Sequence, residues 1–405
     1  MKKLFVFASV LMFLFTYISG AIAKEMKVGT LLAHTGGLGE FGPMLKDGIN
    51  LAAEQMGAAG FDIELIHEDS ETSAIPAVNA TRKLVEVNNV VAIIGAMGSG
   101  VTQAVAESVT CPRNILLMTP GASSPLLSIL PADEGKDFLF RTCTSDSFQG
   151  TISGKVAASF SKTASIIYVN NAYGDGLAEY FRKSYERRGG EVLAAVPHDE
   201  EASESYTVEL RKALAEKPDV LCAFSYPQHA IIYLKEAIEF FNYKNFFFCC
   251  GTKSDKILKS IGPENLEGRM GTAPGSLEGE AQVLFRNYYV QKFGKLPPLP
   301  YIANAYDASA VIGLAAYAAK LKGLALNSKN IRDNLRNVSN PPGEIIKPGE
   351  FKKAFSLLKE GKNINYEGAA GSVDFDENGD VYTPIEIWKY SNGEIVTVRM
   401  EYSPR

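Results

Sequence analysis

Short apolar runs alternate with amphipathic stretches from residue 26 to about residue 250. The apolar runs are rich in Val, Ile and Phe without strict polar alternation, which is typical of strands buried on both faces of a parallel sheet. The stretches between them repeat apolar residues at helical spacing. Strand and helix repeated in this way predict a doubly wound α/β architecture. The predicted strands are KVGTLL, DIELIHE, VVAIIG, ILLMTP, ASIIYVN, EVLAAV, DVLCAFSY and NFFFCC.

The strand–helix series occurs twice, which predicts two similar lobes. One set of units ends near Pro120 and another starts near Ala164, with a Pro/Gly/Ser-rich stretch and the strand FLFRTC between them. After Gly271 the pattern becomes helical, and the chain finishes in a β-hairpin with the turn Ser391-Asn392-Gly393. Two lobes joined by several crossings leave a cleft, and ligands of such folds bind at the carboxyl ends of the parallel strands.

The first 23 residues have the pattern of a secretory signal peptide. Lys2 and Lys3 precede the apolar run 4–18, and Ala21-Ile22-Ala23 is a small-x-small cleavage site. A membrane anchor is the alternative, but this run is shorter than the roughly 20 residues that span a bilayer. We expect cleavage after Ala23 and a periplasmic protein without membrane insertion.

Charge and length narrow the class of protein. Without residues 1–23 the chain carries 39 basic and 46 acidic residues, a net charge of −7. Nucleic acid and anionic membrane both favour a basic face, so neither is expected as a partner. A chain of this length is too long for one ordinary core, which also favours two domains.

Hydroxyl side chains follow two successive strands of the first series. VVAIIG leads into a glycine-rich loop that contains Ser99 at the start of a helix, and ILLMTP leads into Gly121-Ala122-Ser123-Ser124. Free N–H groups and the helix dipole attract an anion at such places. Either serine alone is more often a helix cap or a turn residue. Both together predict a site for a ligand carboxylate.

Aromatic side chains occupy comparable positions elsewhere in the chain. Tyr173 and Tyr226 each follow a strand and precede a helix in the second series, and Phe41 lies in the loop after the first strand. A single such ring is usually ordinary packing. Three at equivalent places predict an aromatic wall around the apolar part of a ligand.

The residues after the first 23 resemble the periplasmic leucine/isoleucine/valine-binding family, the type I solute-binding proteins of ABC importers. Matching segments occur in the same order over nearly the full length, and they are TGGLGEFGPMLKDGINLA, VVAIIGAMGSGVTQAVAE, MTPGASSP, FRTCTSDSFQG, NAYGDGLAE and GSVDFDENGD. The resemblance implies two α/β lobes, joined by three hinge crossings, that close on one ligand. It divides the chain into lobe 1, residues 24–144 and 274–369, and lobe 2, residues 145–273 and 370–405.

The resemblance also implies the ligand contacts. In that family a hydroxyl after the third strand and the segment after the fourth hold the ligand carboxylate, and these positions fall on Ser99, Ala122 and Ser123. The covering aromatic residues fall on Phe41, Tyr173 and Tyr226. It further implies delivery of the ligand to an ABC permease by a protein that is not an enzyme, needs no cofactor or metal and is expected to be a monomer.

One position departs from the family pattern. Amino-acid binders of this family place an acid after the strand that corresponds to NFFFCC, where it pairs with the ligand ammonium. Here the loop reads Gly251-Thr252-Lys253-Ser254-Asp255. Lys253 would repel an ammonium and favour a second anionic group or a carboxylate without an amine. Lys253 as a solvated loop residue, and Asp255 as the pairing acid, stay open as alternatives.

Other chemistries have weaker support. No G-x-S-x-G motif surrounds Ser99, although a secreted hydrolase that uses Ser99 or Ser123 is an alternative, as is a ligand-sensing subunit of a membrane receptor. The stretch 37–42 matches GxGxxG, but Pro43 follows it and the expected ribose-binding acid is misplaced. Residues 374–379 match half of a calcium loop, and position twelve is Ile385, which cannot bind calcium.

Five cysteines leave the redox state open. An oxidising compartment permits a disulfide, and Cys111 with Cys143 is a conceivable pair. Buried thiols that pack as small apolar side chains are the favoured alternative.

Overall fold

The computed structural model describes residues 25–402 of the chain. The predicted signal peptide, residues 1–23, lies outside the described residues. Lobe 1 is built on a five-stranded parallel sheet in the order β2-β1-β3-β4-β5, in which Val28 pairs with Leu65 on one side and with Ala92 on the other. Its strands are β1 Met26–Leu32, β2 Ile63–Asp69, β3 Ala92–Gly95, β4 Leu116–Thr119 and β5 Leu139–Arg141.

Lobe 2 is built on a seven-stranded mixed sheet. Its order is β14-β13-β10-β9-β8-β6-β7, and only the C-terminal hairpin runs antiparallel to its neighbours. The strands are β6 Thr163–Val169, β7 Glu191–His198, β8 Val220–Phe224, β9 Phe246–Phe248, β10 Met270–Pro274, β13 Ile385–Ser391 and β14 Glu394–Glu401. A separate parallel pair consists of β11 Glu344–Ile346 and β12 Ile364–Tyr366.

Helices connect the parallel strands, as the alternating pattern predicts. In the part of the chain described, α2 and α3 continue as π-helical turns at 83–87 and 106–110, and short 3₁₀ turns follow β4 and β9. The helices are α1 Gly42–Ala58, α2 Ala74–Arg82, α3 Ser99–Val105, α4 Cys111–Arg113, α5 Asp146–Ala158, α6 Ala172–Glu186, α7 Thr207–Ala213, α8 Pro227–Phe241, α9 Asp255–Ile261, α10 Pro263–Leu266, α11 Glu280–Phe293, α12 Ile302–Leu321, α13 Ser328–Ser339 and α14 Phe351–Lys359.

The chain passes three times between the two sheets, after β5, after β10 and after β12. A buried ion pair ties the first crossing to the third: Arg141 at the end of β5 donates to Asp380 Oδ2 at 2.7 Å and to Ser128 Oγ at 2.6 Å. The α/β fold with two lobes and three crossings is therefore confirmed. The residue boundaries given above for the lobes stay a prediction.

The core of lobe 2 contains the sole tryptophan of the sequence, Trp388 in β13. Its ring is fully buried, stacks on Phe248 with a centroid separation of 6.0 Å and meets the edge of Tyr390 at 5.0 Å. Aromatic groups in such pairs contribute to packing beyond the area they bury.

All five cysteines are buried free thiols, including Cys111 and Cys143. The Cys111 thiol lies 3.6 Å from a carboxylate oxygen of Asp133. Of the two possibilities left open by the sequence, the structure therefore has the buried thiols. Between residues 25 and 402 no helix combines the length and apolarity that a membrane span requires.

Candidate ligand-binding site

A small cavity lies between the two lobes at the carboxyl ends of their strands. Its volume is about 20 Å³, room for about one water molecule, so the lobes are closed on each other. The walls are uncharged in the described part of the chain. The lining residues are Leu38, Met97, Gly98, Ser99, Gly121, Tyr173, Tyr226, Cys250, Gly251 and Tyr301.

The loops after β3 and β4 form the wall of lobe 1. Gly98 is the N-cap of α3 and Ser99 its first residue, so the Ser99 hydroxyl lies at the helix start, where it accepts a hydrogen bond of 3.1 Å from Ser124 N. Gly121 has close neighbours, because a Cβ there would lie 3.1 Å from Met97 Cγ and 3.5 Å from Tyr301 Cγ. These glycines let two loops and an aromatic ring meet at one place.

Two stacked tyrosines form the wall of lobe 2. The rings of Tyr173 and Tyr226 have a centroid separation of 5.7 Å and an interplanar angle of 14°. Asn171 orients both of them: its Oδ1 caps α6 by accepting from Tyr173 N, and its Nδ2 donates to Tyr226 OH at 3.1 Å and to Glu200 Oε1 at 2.7 Å. Asn171 therefore holds the backbone of Tyr173 and the hydroxyl of Tyr226.

The Tyr173 hydroxyl lies against two neighbouring thiols. It is 2.9 Å from Cys249 Sγ and 3.2 Å from Cys250 Sγ, and it accepts a hydrogen bond from Gly251 N. Burial raises the pKa of Tyr173, Tyr226 and Tyr301 above the ordinary value, so all three hydroxyls keep their protons near neutral pH. The cavity is rich in hydrogen-bond donors.

Three of the six residues that the resemblance places at the site do not line the cavity. Ala122 N donates to Thr119 Oγ1 at 2.9 Å, the Ser123 hydroxyl donates to Asp146 Oδ2 at 2.8 Å, and Phe41 is fully buried in the apolar core beside α1. Ser99, Tyr173 and Tyr226 do line it. The roles that the resemblance implies for all six residues stay predictions.

Lys253 lies in the interior of lobe 2. It is 4% exposed, and its ammonium pairs with Glu386 Oε2, which belongs to β13 of the same lobe. Lys253 is not among the lining residues, whereas the adjacent Cys250 and Gly251 are. The predicted selection of the ligand's far end by Lys253 gains no support from this geometry.

A second contact between the lobes lies beside the cavity. Glu40, in the loop between β1 and α1, accepts hydrogen bonds from the Ser254 hydroxyl and from Lys256 N at 3.2 Å, both at the start of α9. Burial is the largest influence on the Glu40 carboxyl and raises its pKa, although the Ser254 hydroxyl opposes this shift. A carboxylate of lobe 1 thus satisfies the free N–H end of a helix in lobe 2.

Sequence reasoning missed several lining residues. Gly98 and Gly121 directly precede Ser99 and Ala122, and Gly251 lies two residues before Lys253, so the signal pointed to the right loops but to nearby positions. Leu38 lies in the glycine-rich loop 37–42, which approaches Tyr226. Tyr301 precedes α12 with a left-handed φ of 74°, and no motif marks it.

The metal alternative has no matching geometry in the structure. Within residues 25–402 no three His, Cys, Asp or Glu side chains are grouped to hold an ion. In the predicted half calcium loop, Asp376 Oδ1 instead accepts from the N–H groups of Asn378 and Asp380 at 2.9 Å. That segment is a hydrogen-bonded turn in the third crossing.

Comparison with known families agrees with this geometry. Residues 25–355 match the model of the periplasmic binding protein family. The chain belongs to that family. Periplasmic binding proteins are extracytoplasmic solute receptors of the ABC-transporter type and not enzymes, so the family places this chain among proteins that bind a small molecule.

Individual relatives are distant. A chemotactic signal transduction system substrate-binding protein, BasB of Halobacterium salinarum, is 28% identical over 87% of this chain and 83% of its own length. The crystal structure of the leucine binding protein LivK from Thermotoga maritima superposes with a TM-score of 0.78 at 22% identity, covering 93% of this chain and 99% of that one. Leu/Ile/Val-binding protein homolog 1 of Brucella melitensis is 24% identical over 92% of this chain and 92% of its own length, and with the family match it confirms the resemblance to the leucine/isoleucine/valine-binding family.

A further solved structure has the same fold. It is the solute-binding protein RPA0668 of an ABC transporter from R. palustris, in complex with benzoate. The TM-score is 0.75 at 17% identity, with 93% of this chain and 96% of that chain covered. Identities at this level establish the shared architecture only.

Proposed function

We propose that this protein captures a small carboxylate-bearing solute, an amino acid or a related organic acid, in the interlobe cleft and delivers it to an ABC importer. The observation that carries the proposal is the pairing of Ser99 in lobe 1 with Tyr226 in lobe 2 across one cavity. Hydroxyl donors from both lobes on one anionic group would make the ligand itself the bridge that holds the lobes closed.

The known ligands of similar proteins support a carboxylate. One structural neighbour is a leucine binding protein and another was solved with benzoate, and these two ligands have in common a carboxylate and an apolar body. We further propose a periplasmic, monomeric protein whose closed form the permease recognises.

A thermal-shift screen tests the proposed function. The screen covers amino acids, aromatic acids, keto acids, dicarboxylates, sugars and polyamines. A ligand at roughly 100 times its Kd should stabilise the protein by about 2.7 kcal/mol and raise its melting temperature. If only sugars or polyamines raised it, the carboxylate proposal would be wrong.

A sensing role is the second candidate, because BasB, the relative described above, is named for chemotactic signal transduction. Both roles use the same cleft and differ in the membrane partner. Uptake of a radiolabelled ligand that is lost on deletion of the gene supports import, whereas loss of taxis with uptake intact supports sensing.

The hydrolase alternative has a direct test. The two histidines of lobe 2 are hydrogen-bonded to Ser225 and not to Ser99 or Ser123: His198 Nε2 lies 2.8 Å and His229 Nδ1 3.2 Å from Ser225 Oγ. Turnover of an ester or amide that disappears in Ser99→Ala would favour that alternative over binding.

A further inference from the structure

The cavity walls offer two hydroxyl protons that no acceptor uses. Within the described residues, Ser99 Oγ accepts one hydrogen bond, from Ser124 N, and donates none. Tyr226 OH likewise accepts from Asn171 Nδ2 and donates none. The two groups belong to opposite lobes and lie close together, since a Cβ on Gly98 would be 3.7 Å from Tyr226 OH. Buried donors of this kind match an anionic acceptor.

The carboxyl groups near the cavity do not form its walls. Glu40 accepts from Ser254 and Lys256 N, Glu200 accepts from Asn171, and Asp146 accepts from Ser123 through Oδ2, while its Oδ1 has no partner among the described residues. None of the three lines the cavity. An ammonium group bound between these walls would therefore meet no carboxylate among the residues that line them, and burial of an unpaired charge is strongly unfavourable.

The loop that would supply the ammonium-pairing acid in amino-acid binders also contributes no acid to the cavity wall. The loop after β9 presents Cys250 and Gly251 to the cavity, and Lys253 is turned away toward Glu386. A side chain at Gly251 would lie 2.4 Å from the carbonyl oxygen of Ser225 and 3.0 Å from Tyr173 OH. The backbone is so close there that no acidic side chain fits at residue 251.

We infer that the ligand is a monocarboxylic acid without an ammonium group, whose apolar body packs against Leu38, Met97 and the tyrosine rings. This inference rests on the proposed function and specifies its ligand class. The hydroxyls of Ser99 and Tyr226 bind the carboxylate, and uncharged groups surround the rest of the molecule.

Matched ligand pairs that differ only at the α-carbon test the inference. Isothermal titration calorimetry compares L-leucine with 4-methylpentanoate and 4-methyl-2-oxopentanoate, and L-phenylalanine with 3-phenylpropanoate. In at least one pair we expect the acid without the ammonium to bind at least about tenfold more tightly.

The two proposals fail in different ways. Amino acids that bind as tightly as their partners, or more tightly, would overturn the inference and leave the carboxylate function intact. Absence of binding by every carboxylate, in these pairs and in the wider screen, would overturn both.

Substitutions in the cavity test whether the Ser99 and Tyr226 hydroxyls bind the carboxylate. Ser99→Ala and Tyr226→Phe remove one hydroxyl each and should weaken binding of the preferred acid about tenfold. The matched controls are Ser165→Ala, which removes a buried hydroxyl of β6 that makes no hydrogen bond among the described residues, and Tyr289→Phe in α11. Controls that weaken binding as much as the cavity variants would contradict the assignment.

A gain-of-function variant gives the sharpest readout. Cys250→Asp places a carboxylate in the cavity wall and should shift preference toward the amino acid of each pair, whereas the uncharged Cys250→Asn should not. Melting curves first establish that both variants fold. If a folded Cys250→Asp variant keeps the wild-type order of affinities, the counter-charge explanation is wrong.

Discussion

Asp146 is a fully buried carboxyl next to the first crossing between the lobes. It begins α5 directly after the first crossing, its backbone N–H donates to Ser123 O at 2.7 Å, and its Oδ2 accepts from the Ser123 hydroxyl. Its Oδ1 has no hydrogen-bond partner among the described residues. Burial raises the pKa of Asp146 to about 7, while the Ser123 hydrogen bond and nearby Arg141 lower it and nearby Cys249 raises it.

This raised pKa gives stability a defined pH dependence. The folded state holds the Asp146 proton more tightly than the unfolded chain, so the contribution is complete below about pH 4 and is lost as the pH rises through 7. Asp146→Asn stays neutral at every pH. Urea unfolding should therefore show similar stabilities at pH 4, with the variant more stable by roughly 1 kcal/mol or more at pH 8.

The prediction concerns the difference in unfolding free energy between the wild-type protein and the Asp146→Asn variant. Asp307 is also buried with a pKa raised to about 7, and its titration is common to both, so it cancels in the comparison. An equal stability difference at both pH values would contradict the assignment to Asp146.

Residue identities at the site were only partly predictable. Ser99, Tyr173 and Tyr226 stand at strand ends, and the pattern of strands is enough to bring them to one edge. Lys253 shows the limit: its partner Glu386 is 133 residues further along the chain, and only the antiparallel pairing of β13 with β10 brings it near. A local pattern carries no information about such a contact.

At the scale of elements, strands and amphipathic helices were predictable and α5 was not. The sequence of α5 contains Gly150 and Gly154, which lower helix propensity. The structure explains both, because a Cβ at Gly150 would lie 2.7 Å from Tyr180 Cβ and one at Gly154 2.7 Å from Phe181 O. Close packing against α6 needs these glycines. Strands β11 and β12, three residues each, are too short to show a period.

The contact between Glu40 and the start of α9 should contribute to ligand affinity, because it forms only when the lobes approach. Removal of its two hydrogen bonds in Glu40→Ala should cost about 1–2 kcal/mol of closure free energy and raise the Kd of the preferred acid about 5- to 30-fold. Calorimetry measures the change. Glu201→Ala, which removes an exposed carboxylate of lobe 2, is the control. An unchanged Kd in Glu40→Ala would show that the contact does not assist closure.

At the scale of the whole molecule, the small cavity limits which form can hold a ligand. A volume of about 20 Å³ is far below the several hundred Å³ of ordinary ligand pockets. The lobes must therefore stand farther apart around a ligand than they do here. The three crossings provide that freedom, while Arg141 and Asp380 keep two of them together.

Distance measurements between the lobes test this movement. Nitroxide labels at Val87→Cys in lobe 1 and Val208→Cys in lobe 2 use two exposed positions, and the five native thiols are buried. The distance distribution should be broad without ligand and should narrow to one population at saturation. Identical distributions under the two conditions would contradict hinge closure. Two labels within lobe 2, at Val208 and Phe240, serve as the invariant control.

Trp388 has a consequence for how this protein is observed. The only indole in the chain is fully buried in lobe 2, stacked on Phe248 and absent from the cavity walls. Its emission spectrum therefore reports the integrity of one lobe and is nearly blind to what enters the cleft. Titrations followed by tryptophan fluorescence would underestimate binding, whereas a red shift during denaturation would time the unfolding of lobe 2 separately from that of lobe 1.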